Sequence, residues 1–589
     1  DLPTRNVVTW NTVIAGYTQH EQPHKALDCF VRMQREGFSP SVATYASILK
    51  VCGNIGAIDK GIQIHDEIIG KGLLNHNIAL GNALVNMYAK CGLLSRAHKV
   101  HEELANRDVV SWNALITGYN QEGKGHEALG CFEGMEREGI SPNDVTFICI
   151  LKACGSIQAI EKGEQIHDEI VNRGLLEKNI MIGNALMDMY VKCGALGKAQ
   201  QVLHMLPVRD IVTWSTLISG YTQDGRAHEA LNCFIQMQKD GLSPNEVTFI
   251  SVLKACGSIG AIDKGKHIHK EIVGRGYLKQ NMMLGNALVD MYVKCGELAK
   301  AQQVVEELDV RSVVSWNILI AGYTQEEQGH KALACFALMQ REGLTPNEVT
   351  FTCILNACGS IGAIDKGKQI HNLIVGGRLM DDNVVLGTAL MDMYAKCGVL
   401  AKAQQVLEEL PLRNVVSWSA LIAGYALEGR CHEAIDCFEQ MEREGLSPNE
   451  ITFLCLLNAF SHSGKSDEAQ MYYENMKKTY GIKPNLEHDT CMVLAFGFSG
   501  QFDKAMSVIS TIQSSSKDAS LWLALLSTCR KWGNVKLGRL AFDQAIQLDN
   551  QLAASYTLMA DIYGAAGLLE DAQKVEAMRV KSVVARNAC

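Results

Sequence analysis

A chain of 589 residues, 47% of them apolar, holds enough material for several ordinary domains or for one elongated array with no single centre. A net charge of −9 excludes a generally cationic nucleic-acid coat, though it leaves room for a basic stripe along one face. No run of about 18 apolar residues indicates a membrane span, and 20 cysteines spread over this length read as packed thiols of a reducing compartment, not as the disulfide framework of a small secreted domain.

The opening D-L-P-T-R-N-V-V matches E-L-P-L-R-N-V-V at 409–416, so residues 1–6 read as the tail of a repeat that begins upstream, where any targeting peptide would also lie. A segment of 35 residues then runs from Val7 to Ser41. Within it Trp10, Ile14 and Tyr17 share one face of a predicted helix, and Ala26, Leu27, Phe30 and Met33 line a second that Gly37 and Pro40 stop. A segment of 36 residues (Val42 to Asn77) and one of 31 (Ile78 to Asp108) repeat the plan, two helical patterns about a glycine-bearing turn. Then everything recurs. Trp10, Trp112, Trp214, Trp316 and Trp418 stand 102 residues apart, as do Cys29, Cys131, Cys233, Cys335 and Cys437, each followed by Phe. Cys91, Cys193, Cys295 and Cys397 keep the same spacing, and so do His65, His167, His269 and His371. The tryptophans and Cys-Phe pairs are expected in the core and the histidines in packing roles. A period this long divides into three supersecondary units. One helical hairpin cannot bury its apolar face alone, whereas stacked neighbours can. The expected fold is all-α: a right-handed α-solenoid superhelix of helix-turn-helix repeats with an inner groove and no strands.

The strings V-V-S-W-N-A-L-I-T-G-Y, I-L-K-A-C-G-S-I and M-Y-V-K-C-G, set in segments of alternating length, resemble the P, L and S motifs of plant pentatricopeptide repeat proteins over essentially the whole chain. On that resemblance residues 7–517 hold fifteen motifs, and residues 1–6 are the end of a truncated S motif. Residues 518–551, with D-A-S-L-W-L-A-L-L-S, and 552–589, with S-Y-T-L-M-A-D-I-Y-G, are similar to the tetratricopeptide-like E1 and E2 motifs that follow the array in organellar RNA-editing factors. The resemblance implies a mitochondrial or chloroplast protein that binds single-stranded RNA and selects a cytidine for conversion to uridine. It implies neither membrane attachment nor a cofactor, and a deaminase domain recruited from another protein. The alternatives are a factor for RNA stabilisation or processing, and a protein–protein scaffold.

In this family one motif faces one nucleotide, and a base is read by two or three side chains. The resemblance places the readers at the fifth and last residues of a motif. Guanine and uracil present a ring N–H that a carboxylate accepts; adenine and cytosine present a bare nitrogen that needs a donor. Asn11 with Ser41, and Asn286 with Ser312, suggest cytosine. Asn82 with Asp108, and Asn184 with Asp210, suggest uracil. Asn113 with Asn143, and Asn317 with Asn347, suggest either pyrimidine. Ser215 with Asn245, Thr388 with Asn414, and Ser419 with Asn449 suggest adenine, while Thr490 with Lys517 is undecoded. The L motifs carry Ala46, Ile148, Ile250, Thr352 and Leu454 at the fifth place and should read poorly. The string is C-n-U-Y-n-U-A-n-C-Y-n-A-A-n-n, with ~1–3 kcal/mol of discrimination per good contact. The family's behaviour puts the edited cytidine a few nucleotides beyond it. Val8, Val110, Val212, Val314 and Val416, second in their P motifs, are expected to flank the bases, and Lys90, Lys192, Lys294 and Lys396, thirteenth in their S motifs, to face phosphates. Such reading requires the polar side chains to open into a shared groove; burial between helices would defeat it.

His65-Asp66-Glu67, His167-Asp168-Glu169 and His269-Lys270-Glu271 satisfy half of a zinc-deaminase signature. The other half, P-C-x-x-C, supplies two thiolates to the metal. No C-x-x-C occurs in the chain, and the H-x-E strings recur at the structural period. No metal site and no enzyme are expected from them.

Overall fold

The computed structural model describes residues 6–74, 77–279, 281–377, 379, 383–512, 518–550 and 552–587. Most of the expected leading tail, and Lys517, lie outside the described residues. Among those described, 34 α-helices and one short 3-10 turn form and no strand does, in agreement with the all-α expectation.

The helices come in pairs. Val7–Gln19 pairs with Pro23–Arg35, Val42–Ile55 with Ile58–Gly70, and Ile78–Lys90 with Leu94–Glu103, after which the pattern repeats from Val109–Gln121. The second helix of the third pair is shorter, 10 residues against 13 in the first two. Polar caps start the first helices. Ahead of Val109–Gln121, Oδ1 of Asp108 accepts the amide N–H of Val110 and of Ser111 at 3.0 Å, and the Ser111 hydroxyl returns to the Asp108 backbone. Such a cap contributes about 1 kcal/mol. The K-C-G turns reverse the chain at Gly92, Gly194, Gly296 and Gly398, whose φ of 72° to 75° is left-handed and so favours a residue without Cβ. Burial then locks each pair: Trp112, Leu115 and Ile116 of one helix and Ala128, Phe132 and Met135 of its partner are all buried.

The chain divides into two compact units, Asp1–Glu297 and Leu298–Cys589. In the first unit the first helices from Val7–Gln19 to Met282–Lys294 pack side by side as one layer. Each second helix lies against its own first helix and against the next pair. In the second unit the same layering runs from Val313–Gln325 to Ala553–Ala565.

Each junction inside a triplet has its own chemistry. Between the second and third pairs, Nδ1 of His65 lies 2.9 Å from the Tyr88 hydroxyl, and His167–Tyr190 (2.9 Å), His269–Tyr292 (2.9 Å) and His371–Tyr394 (2.8 Å) repeat the contact. These histidines pack, as expected, and burial holds those of His65, His167 and His371 below the usual imidazole range. Between the third pair and the next first pair, Arg107 pairs with Glu138, which also accepts the Trp112 indole N–H at 3.2 Å. Arg311–Glu342–Trp316 and Arg413–Glu444–Trp418 rebuild that bridge. All 19 described cysteines are free, and burial pushes the thiols of Cys131 and Cys154 up to about 12. No helix among the described residues is long and apolar enough to cross a membrane.

Candidate nucleic-acid interface

The fifth residue of a P or S motif sits in the second turn of its first helix; the last residue of that motif caps the next first helix. Side-by-side packing of the first helices brings the two together. The amide Nδ2 of Asn11 donates to Ser41 Oγ at 2.9 Å, that of Asn113 to Asn143 Oδ1 at 3.1 Å, and that of Asn317 to Asn347 Oδ1 at 3.0 Å. Asn82 and Asn184 donate to the Oδ2 atoms of Asp108 (3.0 Å) and Asp210 (3.3 Å). Two pairs meet indirectly. Ser215 lies 2.6 Å from the Thr248 hydroxyl, which donates to Asn245, and Ser419 lies 2.7 Å from that of Thr452, which donates to Asn449. The Thr388 hydroxyl donates to its own helix, at Val384 O. Asn286 stands on Met282–Lys294 in the first unit, and Ser312 caps Val313–Gln325 in the second. The relaying threonines went unremarked in the sequence, although N-[DE]-V-T recurs at Asn143, Asn245 and Asn347 and N-E-I-T at Asn449.

Capping and contact with the fifth residue are not alternatives, because the last residues do both. Ser41, Asp108, Asn143, Asp210, Asn245, Ser312, Asn347, Asn414 and Asn449 each accept a backbone N–H from the helix they begin.

The expectation of polar side chains standing open in a groove needs correction. Ser419 is 4% exposed, Ser215 6%, and Asn113, Asn184 and Asn317 8% each. Asn11, Asn82, Asn286 and Thr388 are half-buried. Adjacent first helices approach closely enough to hold the side chain between its own helix and the next. Oδ1 of Asn82, Asn113, Asn184 and Asn286 is buried without a hydrogen-bond partner, whereas Oδ1 of Asn317 accepts from the Thr350 hydroxyl at 2.7 Å. A buried acceptor left unpaired costs about 1–3 kcal/mol. Over part of this row in the first unit lies an open depression of about 360 Å³, bordered by Ala46, Lys50, Asn82, Asn86, Val110 and Asn113. Fifth residues of three consecutive motifs therefore edge one groove.

Val8, Val110, Val212, Val314 and Val416 are all more than half exposed. The S-motif lysines are tied to the protein itself. Lys192 pairs with Asp188 at 2.8 Å, Lys294 with Asp290 at 2.9 Å and Lys396 with Asp392 at 2.7 Å, while Lys90 donates to Asn54. Their stems lie over Gly53, Gly155, Gly257 and Gly359, where a Cβ would come within 3.2 to 3.4 Å of a methionine Cα on the next helix. The carboxylates beside Lys192, Lys294 and Lys396 offset much of those ammonium fields, whereas Lys90 meets only a neutral amide. In the L motifs the Thr352 hydroxyl donates back to Glu348 O, leaving no fifth residue there with a free donor. Among the described residues no group of His, Cys, Asp and Glu is arranged to hold a metal.

Known proteins repeat this pattern. The PPR repeat family matches at residues 5–54, 107–156, 209–258, 311–360 and 413–462, and the PPR repeat at 82–109, 286–313 and 451–479. An Arabidopsis thaliana pentatricopeptide repeat-containing protein is 32% identical over 98% of this chain and 86% of its own length. The chain belongs to the pentatricopeptide repeat family. A chloroplastic and a mitochondrial pentatricopeptide repeat-containing protein of Arabidopsis thaliana are 34% and 33% identical, over 98% and 97% of this chain. The chain spans 66% and 65% of their lengths. Among solved structures, the pentatricopeptide repeat protein PPR10 in complex with an 18-nt psaJ RNA element superposes with a TM-score of 0.59 over 99% of this chain and 85% of its own, at 20% identity, and PPR10 from maize with 0.53 over 99% and 86%, at 21%. The fold of this pentatricopeptide repeat chain is thus that of solved members.

Proposed function

We propose that the chain binds single-stranded RNA along the first-helix layer of each unit, one motif to a nucleotide, and selects a cytidine in a mitochondrial or chloroplast transcript for conversion to uridine by a deaminase domain from another protein. The observation that carries the RNA reading is the pair of fifth and last residues. Nine such pairs vary among Asn/Ser, Asn/Asp, Asn/Asn, Ser/Asn and Thr/Asn on helices whose other residues scarcely change. A cap alone has no reason to vary so. The exposed valines beside the pairs, and the RNA held by PPR10, support the choice of ligand. Editing, as opposed to RNA stabilisation or processing, rests on the alternation of motif lengths and on the likeness of residues 518–589 to E1 and E2 motifs. The organelle rests on the names of the relatives.

Burial constrains how a base is met. Asn11, Asn82, Asn113, Asn184 and Asn317 each give one amide N–H to the last residue of the motif, and Oδ1 of Asn82, Asn113, Asn184 and Asn286 has no partner. Because these side chains do not stand open as reading requires, a base can be met only if bound RNA turns the amides out from between the helices. The S-motif lysines would stand beside phosphates as weak contacts, each already sharing its charge or a hydrogen bond with the protein.

The burial and mutual bonding of the pairs favour a second reading, in which they clamp adjacent helices and read nothing. The double substitution Asn113→Thr with Asn143→Asp separates the two. Binding to oligonucleotides that differ at one position should shift from pyrimidine toward guanine at the nucleotide facing that motif. An equal fall for all four bases would assign the pair to the clamp.

A further inference from the structure

The L motifs present a puzzle under this reading, since four of their fifth residues have no hydrogen-bonding side chain. Four residues on, on the same helical face, stand Lys50, Lys152 and Lys254 in the first unit. All three are exposed, and none has an ion pair among the described residues. Lys50 borders the same depression as Asn82, Val110 and Asn113. The neighbouring S-motif helices carry Asp188 and Asp290, but each is held by its own lysine, so those pairs add no net charge to the row. The corresponding places in the second unit are Asn356 and Asn458.

Resting on the RNA reading, we infer that Lys50, Lys152 and Lys254 are the principal phosphate contacts of the array, one per triplet, and that they are confined to the first unit. The L motif then grips the backbone where it reads no base. The first unit carries most of the salt-dependent part of affinity, and the second unit binds mainly through base edges and apolar flanks. A row of unpaired ammonium groups at every third motif suits a polyanion, because each phosphate neutralised releases a condensed counterion.

Filter binding of the full chain to an RNA oligonucleotide carrying the string C-n-U-Y-n-U-A-n-C-Y-n-A-A-n-n, with n randomised, across a potassium chloride series tests this. For single strands each phosphate contact contributes about 0.7 to the slope of log affinity against log salt. The variant Lys50→Gln/Lys152→Gln/Lys254→Gln should lose about 2 from that slope and keep its base preference opposite Asn113. The variant Asn356→Lys/Asn458→Lys should gain about 1. If the wild-type chain binds and neither substitution moves the slope, the lysine row is not the phosphate contact and this inference falls alone. A wild-type chain that retains no RNA at any salt concentration defeats the RNA reading, and the inference with it.

Discussion

His101 occupies a place that the other triplets fill with Leu203, Val305 and Leu407. It is 1% exposed, with its ring 4.2 Å from that of Trp112, and burial, helped by the Arg107 charge, lowers its pKa to about 4. The free imidazole titrates near 6.5, so the unfolded chain takes up the proton first. The stability that neutral His101 contributes is whole above about pH 6.5 and drains away as the pH falls toward about 4. His65, His167 and His371 act in the same direction. His101→Leu should therefore flatten the fall of the urea midpoint between pH 7 and pH 4.5, by as much as a few kcal/mol at ~1.4 kcal/mol per tenfold change in proton affinity. Parallel falls in variant and wild type would mean that the native histidine already holds its proton. Val110 and Val212 differ in kind, being exposed and half out of any core. Changing both to Asp should leave the melting transition within about 0.5 kcal/mol of the parent and weaken RNA retention on filters. Much at this scale was readable in advance. Asp188 stands four residues before Lys192, a spacing that announces the ion pair, yet the lysine alone drew attention as a cation.

At the scale of the element, the N-cap joins two helices rather than starting one. Asn245 caps its helix through the Thr248 amide, while Ser215 leans on the Thr248 hydroxyl. Asn143 caps its helix and also receives the Asn113 amide directly. Asn245→Ala should cost about 1 kcal/mol in denaturant unfolding. Asn143→Ala should cost about 2 kcal/mol, because a buried amide also loses its acceptor. The excess should vanish when both are compared in an Asn113→Ala background; if it persists, the extra loss arises elsewhere. That a polar residue would begin each first helix of the array was legible from its side chain and the apolar run after it. That five fifth residues would be buried was not. Periodicity says which residues meet, and only the closeness of the helices, visible where Gly53 lies against the Met87 backbone, says how much room remains.

For the whole molecule, architecture was the most legible quantity, because tryptophans spaced by 102 residues cannot all be buried except by stacking. The cysteines follow from it: buried thiols such as Cys131 and Cys154 are held protonated, and so should resist a thiol-specific reagent at pH 8 until urea opens the array. The two junctions described above, His–Tyr and Arg–Glu–Trp, each with its own partners, recur in fixed order. A block of 102 residues is hence the smallest piece that can be removed or duplicated with every surviving surface still meeting its accustomed neighbour. Excising residues 109–210 would set Asp108 ahead of Ile211, where Asp210 stood before, and every graft point would match. Excising one 31-residue segment would press together faces that never touch in this chain. Growth of such an array is quantised in triplets.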